Sequence, residues 1–204
     1  MGRATNVHWY QGSLTREERW SHLGAKGCTI WFTGLSASGK STISSAVEKV
    51  LVSRGVRAYR LDGDNLRHGL NADLGFSADD RVENVRRVGE VARLFADAGS
   101  VALSAFISPY LRDRDACRQA HDKAGLPFLE VFVDAPLAVC EQRDPKGLYQ
   151  KAREGLIQGF TGIDDPYEPP RNPDLVLKTH EMSIDQCVDA CLGLLEQNGL
   201  LSGP

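Results

Sequence analysis

One eight-residue segment constrains the fold of this chain more than any other feature of its sequence. Residues 34–41 read Gly-Leu-Ser-Ala-Ser-Gly-Lys-Ser, a complete G-x-x-x-x-G-K-[ST] phosphate-binding loop. The apolar segment 28–33 before the loop predicts a buried strand, and residues 42–54 after it have apolar positions at helical spacing. Glycines let backbone N–H groups surround a phosphate, and the start of a helix adds positive potential. The loop in this setting predicts a nucleoside triphosphate site.

The loop also assigns roles to two of its side chains. We expect Lys40 to reach the β- and γ-phosphates and the Ser41 hydroxyl to ligate Mg²⁺, which is therefore the expected cofactor. The residues of this segment expected to contact the nucleotide are Gly34, Leu35, Ser36, Ala37, Ser38, Gly39, Lys40, Ser41 and Thr42.

Composition favours one ordinary globular domain. The chain has 204 residues, of which 42% are hydrophobic and 25% are charged. Its formal net charge of −3 argues against broad nucleic-acid binding, which needs a basic face. The sequence contains no apolar run long enough to span a membrane. We therefore expect neither nucleic acid nor a membrane as a partner.

Cysteine usage and the N-terminal residues indicate a compartment. The cysteines number five, and Cys187 and Cys191 have no further cysteine or histidine nearby, so buried thiols are predicted rather than disulfides or zinc ligands. Residues 1–20 are polar and carry Glu17 and Glu18, unlike a signal or transit peptide. A cytoplasmic location is expected, because free thiols persist in a reducing compartment.

Alternating strand and helix patterns predict the α/β class. Short apolar strands separated by helices indicate a parallel sheet covered on both faces. We therefore expect a single domain with a parallel five-stranded core sheet flanked by helices. Further strands are predicted at 58–61, 101–106, 128–133 and 175–177, and further helices at 77–99, 110–125, 136–143 and 183–195.

Two segments stand outside this regular pattern. Residues 144–173 are rich in Lys, Gly and Pro and have no long apolar face, which suggests a mobile lid. Residues 1–26 are interpreted as an N-terminal extension, with the domain at 27–204. Trp9, Tyr10 and Trp20 of the extension could pack on the core or on a partner subunit, and core packing is the default.

The class of nucleotide-binding protein can be narrowed by motifs that are missing from the sequence. A GTPase would need an Asn-Lys-x-Asp motif and a transport ATPase a Ser-Gly-Gly-Gln signature, and neither is present. A small sheet with a polar lid favours a kinase of a small acceptor, since a lid keeps water from the γ-phosphoryl group. A nucleoside monophosphate kinase and an allosteric nucleotide-binding module without turnover stay open as alternatives.

The acceptor site is expected outside the carboxyl ends of the strands. Segments 62–67, 76–84, 106–110 and 146–162 meet there. Among their side chains are the Asp62 and Asp64 carboxylates, several cations and the Phe76 and Phe160 rings. That combination predicts an anionic, planar substrate. Intact Lys40, Ser41 and Asp64 speak against the allosteric module. The two aromatic rings together with Asp-Gly-Asp-Asn at 62–65 speak against a nucleoside monophosphate kinase or another small-acceptor kinase.

Five side chains in these segments have specific expected roles. Asp64 could accept a hydroxyl proton or hold Mg²⁺ through water. Arg67 and Arg81 would bind anionic oxygens, and Phe76 and Phe160 could stack a base.

Each assignment has a plainer alternative. Asp62 could merely cap a turn, and Arg67 and Arg81 taken singly would more often be partners of surface salt bridges. Phe76 could be an ordinary core aromatic. Only the joint placement of these residues at strand ends favours the functional interpretation.

Six motifs together resemble the adenylylsulfate (APS) kinase family, in that family's order and spacing from about residue 27 to residue 178. They are residues 34–41, Leu-Asp-Gly-Asp-Asn at 61–65, Leu-Gly-Phe-Ser at 74–77, Phe-Ile-Ser-Pro-Tyr at 106–110, Asp-Pro-Lys-Gly-Leu-Tyr at 144–149 and Gly-Phe-Thr-Gly-Ile at 159–163. The resemblance implies a P-loop kinase fold and phosphoryl transfer from MgATP to the ribose 3′-hydroxyl of adenosine 5′-phosphosulfate. It also implies a homodimer and a role in sulfate activation.

The resemblance further implies roles for individual residues. The expected catalytic residues are Lys40, Asp64, Asp62, Lys146 and Ser108, the last matching a position described in the family as a phosphoserine intermediate. Direct in-line transfer needs only positioning and charge stabilisation, so Ser108 could instead contact the substrate. Arg143, Thr179 and Met182 would flank the ATP adenine. The expected APS contacts are Asp62, Asp64, Arg67, Phe76, Arg81, Asn84, Phe106, Ile107, Ser108, Lys146, Leu148, Gly159, Phe160 and Thr161.

Overall fold

Five parallel strands form the centre of the domain, in the order β2-β3-β1-β4-β5. The structure is a computed structural model that describes residues 5–8, 10 and 12–201. The strands are β1 (Cys28–Thr33), β2 (Ala58–Asp62), β3 (Val101–Ala105), β4 (Phe128–Asp134) and β5 (Leu175–Lys178). Every pairing between neighbours is parallel, which confirms the parallel five-stranded sheet expected from the sequence.

The position of β1 decides where a ligand can bind. All six of its residues are buried, and it pairs with β3 on one side and with β4 on the other. The chain therefore leaves β1 where the strand order reverses, and the crevice outside the carboxyl ends of the strands opens at that point. The phosphate-binding loop follows β1 directly and lies at this crevice.

Helices cover both faces of the sheet, and two of the longest begin at the predicted cap residues. The Ser77 side chain accepts from the N–H of Asp80, and Ser183 forms a capping box with Gln186. The helices of the described residues are α1 (Arg16–Leu23), α2 (Lys40–Ser53), α3 (Gly63–Leu66), α4 (Ala78–Asp97), α5 (Leu111–Lys123), α6 (Leu137–Arg143), α7 (Leu148–Arg153) and α8 (Ile184–Gln197).

Two apolar clusters hold the helices on the sheet. On one face, α2 and α8 pack on the strands through side chains such as Val47, Leu103 and Leu195. On the other face, α4 packs on the strands around Trp31. Because both faces are covered, the strands read as nearly continuous apolar runs rather than as alternating patterns.

The segment 144–173 contains more structure than its sequence suggested. It includes the short helix α7, and its Tyr149 and Phe160 side chains are buried in a third apolar cluster next to the phosphate loop. The sequence missed this because two aromatic side chains eleven residues apart do not make a periodic apolar face.

Helix α1 docks on the C-terminal end of α4. Arg16 and Arg19 pair with the Asp97 carboxylate at 2.8 and 2.9 Å, and the Trp20 indole N–H donates to the Asp97 carbonyl. These cations lie at the C-terminus of α4, where the helix dipole favours positive charge. Trp20 therefore packs on the domain, Tyr10 is exposed, and Trp9 lies outside the described residues.

Among the described residues, none of the helices combines the length and apolar character that crossing a bilayer requires.

Candidate active site

The phosphate loop has the backbone shape that its glycines permit. A Cβ built on Gly34 would lie 2.5 Å from the Val133 carbonyl oxygen, so only glycine allows the loop to pass so close to β4. Gly39 precedes α2 with a φ of 108°, a conformation that L side chains rarely adopt. The N–H groups at the start of α2 therefore face the crevice where a phosphate would bind.

Lys40 folds back onto its own loop. Its Nζ donates to the carbonyls of Gly34 at 3.1 Å and Leu35 at 2.7 Å. Burial lowers the pKa of Lys40 to about 8, because the charged form is poorly solvated there. A phosphate would offer this amine a stronger partner than two carbonyls.

Ser41 lies beside Lys40 at the start of α2 and is exposed. A hydroxyl here and the exposed carboxylate of Asp64 are oxygen donors of the kind that Mg²⁺ takes, together with phosphate oxygens and waters. The donor set therefore fits a Mg²⁺ ion that the nucleotide brings with it.

Arg143 and Thr179 meet behind the phosphate loop. Arg143 donates to the Thr179 hydroxyl at 3.0 Å and to the Thr179 carbonyl at 2.7 Å, and the Thr179 hydroxyl donates to the Ser38 carbonyl at 2.7 Å. Met182 packs against the apolar cluster between α2 and the sheet. The structure thus places Arg143 and Thr179 against the phosphate loop, whereas Met182 packs on the apolar cluster.

The two acidic residues after β2 have different surroundings. Asp62 is buried, caps α3 by accepting from the N–H of Asp64 at 3.1 Å, and pairs with Arg60 at 2.5 Å. The Asp64 side chain is 67% exposed and forms an ion pair with Lys146. Asp62 therefore caps a turn, whereas the exposed Asp64 connects the segment 144–173 to the residues after β2.

Arg67 and Phe76 form a pair at the rim of the crevice. The guanidinium carbon of Arg67 lies 4.2 Å from the Phe76 ring centroid, and Arg67 also donates to the carbonyls of Leu74 and Gly75 at 3.0 Å. Phe76 is 71% exposed, so the alternative that it is a core aromatic is wrong. An exposed, oriented ring is available to stack on a planar ligand.

Arg81 is held by the segment that follows α7 rather than by a surface partner on its own helix. It donates to the Thr161 hydroxyl at 2.9 Å, to the Gly159 carbonyl and to the Asp165 carboxylate. Asp165 in turn accepts from the Tyr110 hydroxyl at 3.2 Å. One guanidinium therefore joins α4, the loop after β3 and the segment 144–173.

Asn84 lies one turn further along α4 and is buried. Its side-chain oxygen accepts from the Nδ2 of Asn71 at 2.9 Å. This contact fixes the amide of Asn84 on the face of α4 that Arg81 also occupies, as their spacing predicted.

The loop after β3 is tightly packed. Phe106 stacks on Trp31 with centroids 5.9 Å apart, so it belongs to the core on the α4 side. The Ile107 carbonyl accepts from the Thr33 hydroxyl at 2.7 Å. Ser108 is 3% exposed, donates to Thr33 Oγ1 at 3.0 Å and accepts from Trp31 Nε1 at 3.1 Å. The Ser108 hydroxyl is thus occupied by two protein partners.

The predicted contacts in the segment 144–173 lie close to the phosphate loop and to Arg81. Phe160 is buried with its ring edge-on to Tyr149 at 5.0 Å, and Thr161 is buried beside Arg81. Leu148 is half-buried in the same apolar cluster. The Asp164 carboxylate accepts from the N–H of Gly159 and fixes the turn that carries these residues.

Several residues of the site could not be identified from sequence patterns. Asn71, Arg114 and Asp165 contact the predicted site residues Asn84, Ser108 and Arg81, and Tyr167 bonds to Thr33 just before the phosphate loop. None of these four residues belongs to one of the six motifs. Only the fold brings such pairs together.

Comparisons with known proteins all find adenylylsulfate kinases among the most similar ones. A family model described as adenylylsulphate kinase matches residues 26–178. The adenylyl-sulfate kinase of Saccharomyces cerevisiae is 57% identical over 184 residues, which cover 90% of this chain and 91% of that protein.

Solved structures agree with this similarity. The APS kinase CysC of Mycobacterium tuberculosis, in complex with AMPPNP and APS, is 56% identical with a TM-score of 0.82, covering 84% of this chain and 99% of that one. A hexameric APS kinase from Thiobacillus denitrificans is 34% identical with a TM-score of 0.67, and the match covers 87% of this chain and 30% of that longer chain.

Proposed function

This chain belongs to the adenylylsulphate kinase family and is an ATP-dependent kinase of adenosine 5′-phosphosulfate (APS), and we propose which of its residues carry the reaction. The γ-phosphoryl group of ATP moves to the ribose 3′-hydroxyl of APS, giving 3′-phosphoadenosine 5′-phosphosulfate and ADP. One observation supports the residue roles above all: an intact phosphate loop faces Asp64, Lys146 and Arg81 across the crevice at the carboxyl ends of the strands.

The donor nucleotide is held by the phosphate loop. Lys40 exchanges its two loop carbonyls for β- and γ-phosphate oxygens, and Arg143 and Thr179 border the adenine. Mg²⁺ would be held by the Ser41 hydroxyl, by the phosphates and, through water, by Asp64. When bound, the ion neutralises charge on the transferred group.

The acceptor hydroxyl loses its proton in the course of the transfer, and a nearby carboxylate can take it up. The 3′-oxygen attacks the γ-phosphorus in line, the bond to the bridging oxygen of ADP breaks, and Asp64 receives the hydroxyl proton. Lys146 leaves its ion pair with Asp64 and moves to the phosphates. This exchange links arrival of the acceptor to closure of the segment 144–173, which we propose acts as a lid.

The acceptor nucleotide is bound by cations and rings from two sides. Arg67, Arg81 and Asn84 contact its anionic oxygens and sugar from α4 and the preceding loop. Phe76 and Phe160 stack on opposite faces of its adenine, and the exposure of Phe76 supports this role. Residues 106–108 and 159–161 complete the pocket together with Leu148. Phe106 contributes through its backbone, because its ring packs on Trp31.

We assign Ser108 to positioning rather than to covalent catalysis. A phosphoserine would carry about two negative charges. Ser108 is buried, and its hydroxyl already bonds to Thr33 and Trp31, so this position would have to break two hydrogen bonds to accept a phosphoryl group.

A homodimer in the cytoplasm is the expected setting of this activity. The five cysteines are free and buried, which supports a reducing compartment. Light scattering coupled to size exclusion tests the assembly: a mass of two chains is expected, and a mass of six chains would instead resemble the Thiobacillus denitrificans protein.

Release of ADP from MgATP with different acceptors tests the function. The rate is expected to depend on APS, and AMP, shikimate or no acceptor should give only background. Turnover with AMP in place of APS would favour a nucleoside monophosphate kinase. Nucleotide binding without turnover under any condition would favour a regulatory module.

A further inference from the structure

One arginine outside the predicted site is more deeply buried than any of the site's own cations. Arg114 lies on α5, and its side chain is 1% exposed. A buried guanidinium is costly unless each part of it meets a partner. Its partners are therefore informative about what it holds in place.

Arg114 bonds to three separate parts of the fold. Its Nε donates to the Glu130 carboxylate on β4 at 2.8 Å. One terminal nitrogen donates to the Ser108 carbonyl at 2.6 Å, and the other donates to the Glu168 carbonyl at 2.7 Å. The ion pair with Glu130 anchors the guanidinium to the sheet, and the two remaining bonds both reach backbone of the active-site crevice.

The first of these backbone contacts is at a strained residue. Ser108 has a φ of 41°, which is uncommon for a residue other than glycine. Such a conformation persists only where the surroundings determine it. The carbonyl of Ser108 is fixed by Arg114 and its hydroxyl by Thr33 and Trp31, so Arg114 is one of the groups that determine the path of the loop 106–110.

The second contact is where the proposed lid returns to the body of the domain. The Glu168 N–H donates to the Pro109 carbonyl at 2.8 Å, and the Glu168 carboxylate accepts from the Leu111 N–H at 2.7 Å. The neighbouring Tyr167 hydroxyl bonds to Thr33 at 3.0 Å, and the Arg114 guanidinium lies 5.8 Å from the Tyr167 ring centroid. The end of the lid and the loop after β3 are thus tied to the same guanidinium.

We propose that Arg114 is a positioning residue for phosphoryl transfer, fixing the acceptor loop 106–110 and the far end of the lid to each other and to β4. The proposal rests on the proposed function, because it assumes that this loop and the lid bind APS. Arg114 lies behind the loop and would not touch either substrate. It acts through the Ser108 and Glu168 carbonyls.

Lysine in place of Arg114 separates the charge from the geometry. Arg114→Lys keeps a cation beside Glu130, but an ammonium is a point charge and cannot present three donors in a planar fork. Misplacement of a substrate by about 1 Å can cost on the order of 10²-fold in rate. We expect kcat/KM for APS to fall by roughly 10- to 100-fold, with an unchanged dissociation constant for AMPPNP.

Arg118→Lys is the matched control. Arg118 lies four residues further on the same helix, approaches the same Glu130 carboxylate at 3.8 Å and pairs with Asp174 at 2.7 Å. It has no bond to the loop 106–110 or to residues 167–168 among its contacts. We expect this variant to keep wild-type kcat/KM for APS within about 2-fold, since the partners of Arg118 lie outside the loop 106–110 and residues 167–168.

Hydrogen exchange provides a readout that is independent of turnover. In Arg114→Lys, exchange at residues 106–110 and 166–169 should be faster than in wild type and in Arg118→Lys, with α8 unchanged. If Arg114→Lys does not fold, the same measurements are made on Glu130→Gln. This change weakens the bond between Arg114 and β4 while leaving Arg114 in place. Glu130→Gln should also lower kcat/KM for APS and leave the dissociation constant for AMPPNP unchanged.

Two results would overturn the proposal. One is an Arg114→Lys enzyme whose kcat/KM for APS and exchange pattern match those of Arg118→Lys. The other is an equal loss of AMPPNP and APS binding, which indicates a general structural role. A wild-type protein that is inactive with APS would instead refute the proposed function, and the exchange result would still decide whether Arg114 orders the two segments.

Discussion

Lys40 must carry a charge in a place that disfavours charge. Its amine is buried against two carbonyls, and its pKa is lowered to about 8 by burial. Phosphate oxygens favour the charged form of a neighbouring amine, so bound nucleotide should raise this pKa again. Binding of nucleotide and binding of a proton are therefore coupled at this residue.

Calorimetry can detect that coupling. At about pH 9, most of the free enzyme has neutral Lys40, so AMPPNP binding should take up close to one proton, whereas at about pH 7 it should take up almost none. Titration in buffers of different ionisation enthalpy measures the number. Lys40→Arg is the control, because a guanidinium stays charged at both pH values. Equal uptake by wild type and Lys40→Arg at the higher pH would contradict this assignment.

Asp62 and Asp64 should fail in different ways when their charge is removed. Asp64 is exposed, so Asp64→Asn should leave the melting temperature nearly unchanged while kcat falls by about 10²–10⁴-fold, the usual contribution of a general base. Asp62→Asn should lower stability through its bonds to Arg60 and α3. Steady-state kinetics and thermal melts of both variants check this. A larger loss of kcat in Asp62→Asn would reverse the two roles.

Among the strands and helices, those marked by neighbouring residues were predicted from the sequence and the shortest helices were not. Strands, the phosphate loop and the starts of α4 and α8 were predicted because each depends on residues next to one another, such as Ser183 and Gln186. The short helices α3 and α7 were missed because four to six residues cannot show a periodic face.

Contacts between elements follow a different rule. Arg81 was expected to bind an anion, but its bonds to Gly159 and Asp165 join residues about eighty positions apart. Sequence patterns predicted that α4 and the segment 144–173 both lie at the crevice. They contained no signal for which side chains of the two segments would bond to each other. The same limit explains why Arg114 carried no signal, since two of its three partners are backbone carbonyls that any residue could supply and the third, Glu130, belongs to no motif.

Residues 146–162 of the segment 144–173 are expected to exchange amide hydrogens rapidly without ligand. Their contacts with the rest of the domain run largely through Arg81, Lys146 and one small apolar cluster, so this part should open locally at low cost. Hydrogen exchange across residues 146–162 should slow when ADP and APS analogues fill the site, while α8 serves as an internal control. Equal protection in free and liganded enzyme would exclude a lid that closes.

The two rings proposed to hold the acceptor adenine should respond differently to truncation. Phe76→Ala removes an exposed ring, so it should weaken APS binding roughly 5- to 150-fold with little change in melting temperature. Phe160→Ala removes a ring packed on Tyr149, so it should also cost up to about 3–5 kcal/mol of stability. Calorimetric APS affinity and thermal melts separate the effects. A stable Phe76→Ala protein with wild-type APS affinity would rule out stacking.

On the scale of the whole molecule, the order of the strands creates the active site. The chain leaves β1 between β3 and β4, and the segments that follow β1, β2 and β3 meet at one edge of the sheet. In the proposed arrangement, the phosphate loop supplies the donor side, and α3, α4 and the loop 106–110 supply the acceptor side. The segment 144–173 spans both through Lys146 and Arg81.

The identity of the phosphorylated product tests this account most directly. Wild-type enzyme with MgATP and APS should give, by ³¹P NMR, a new phosphomonoester at the ribose 3′ position in amounts equal to the ADP formed. The phosphosulfate group should be intact. ADP formed together with inorganic phosphate, or a product phosphorylated at any other position, would contradict the account.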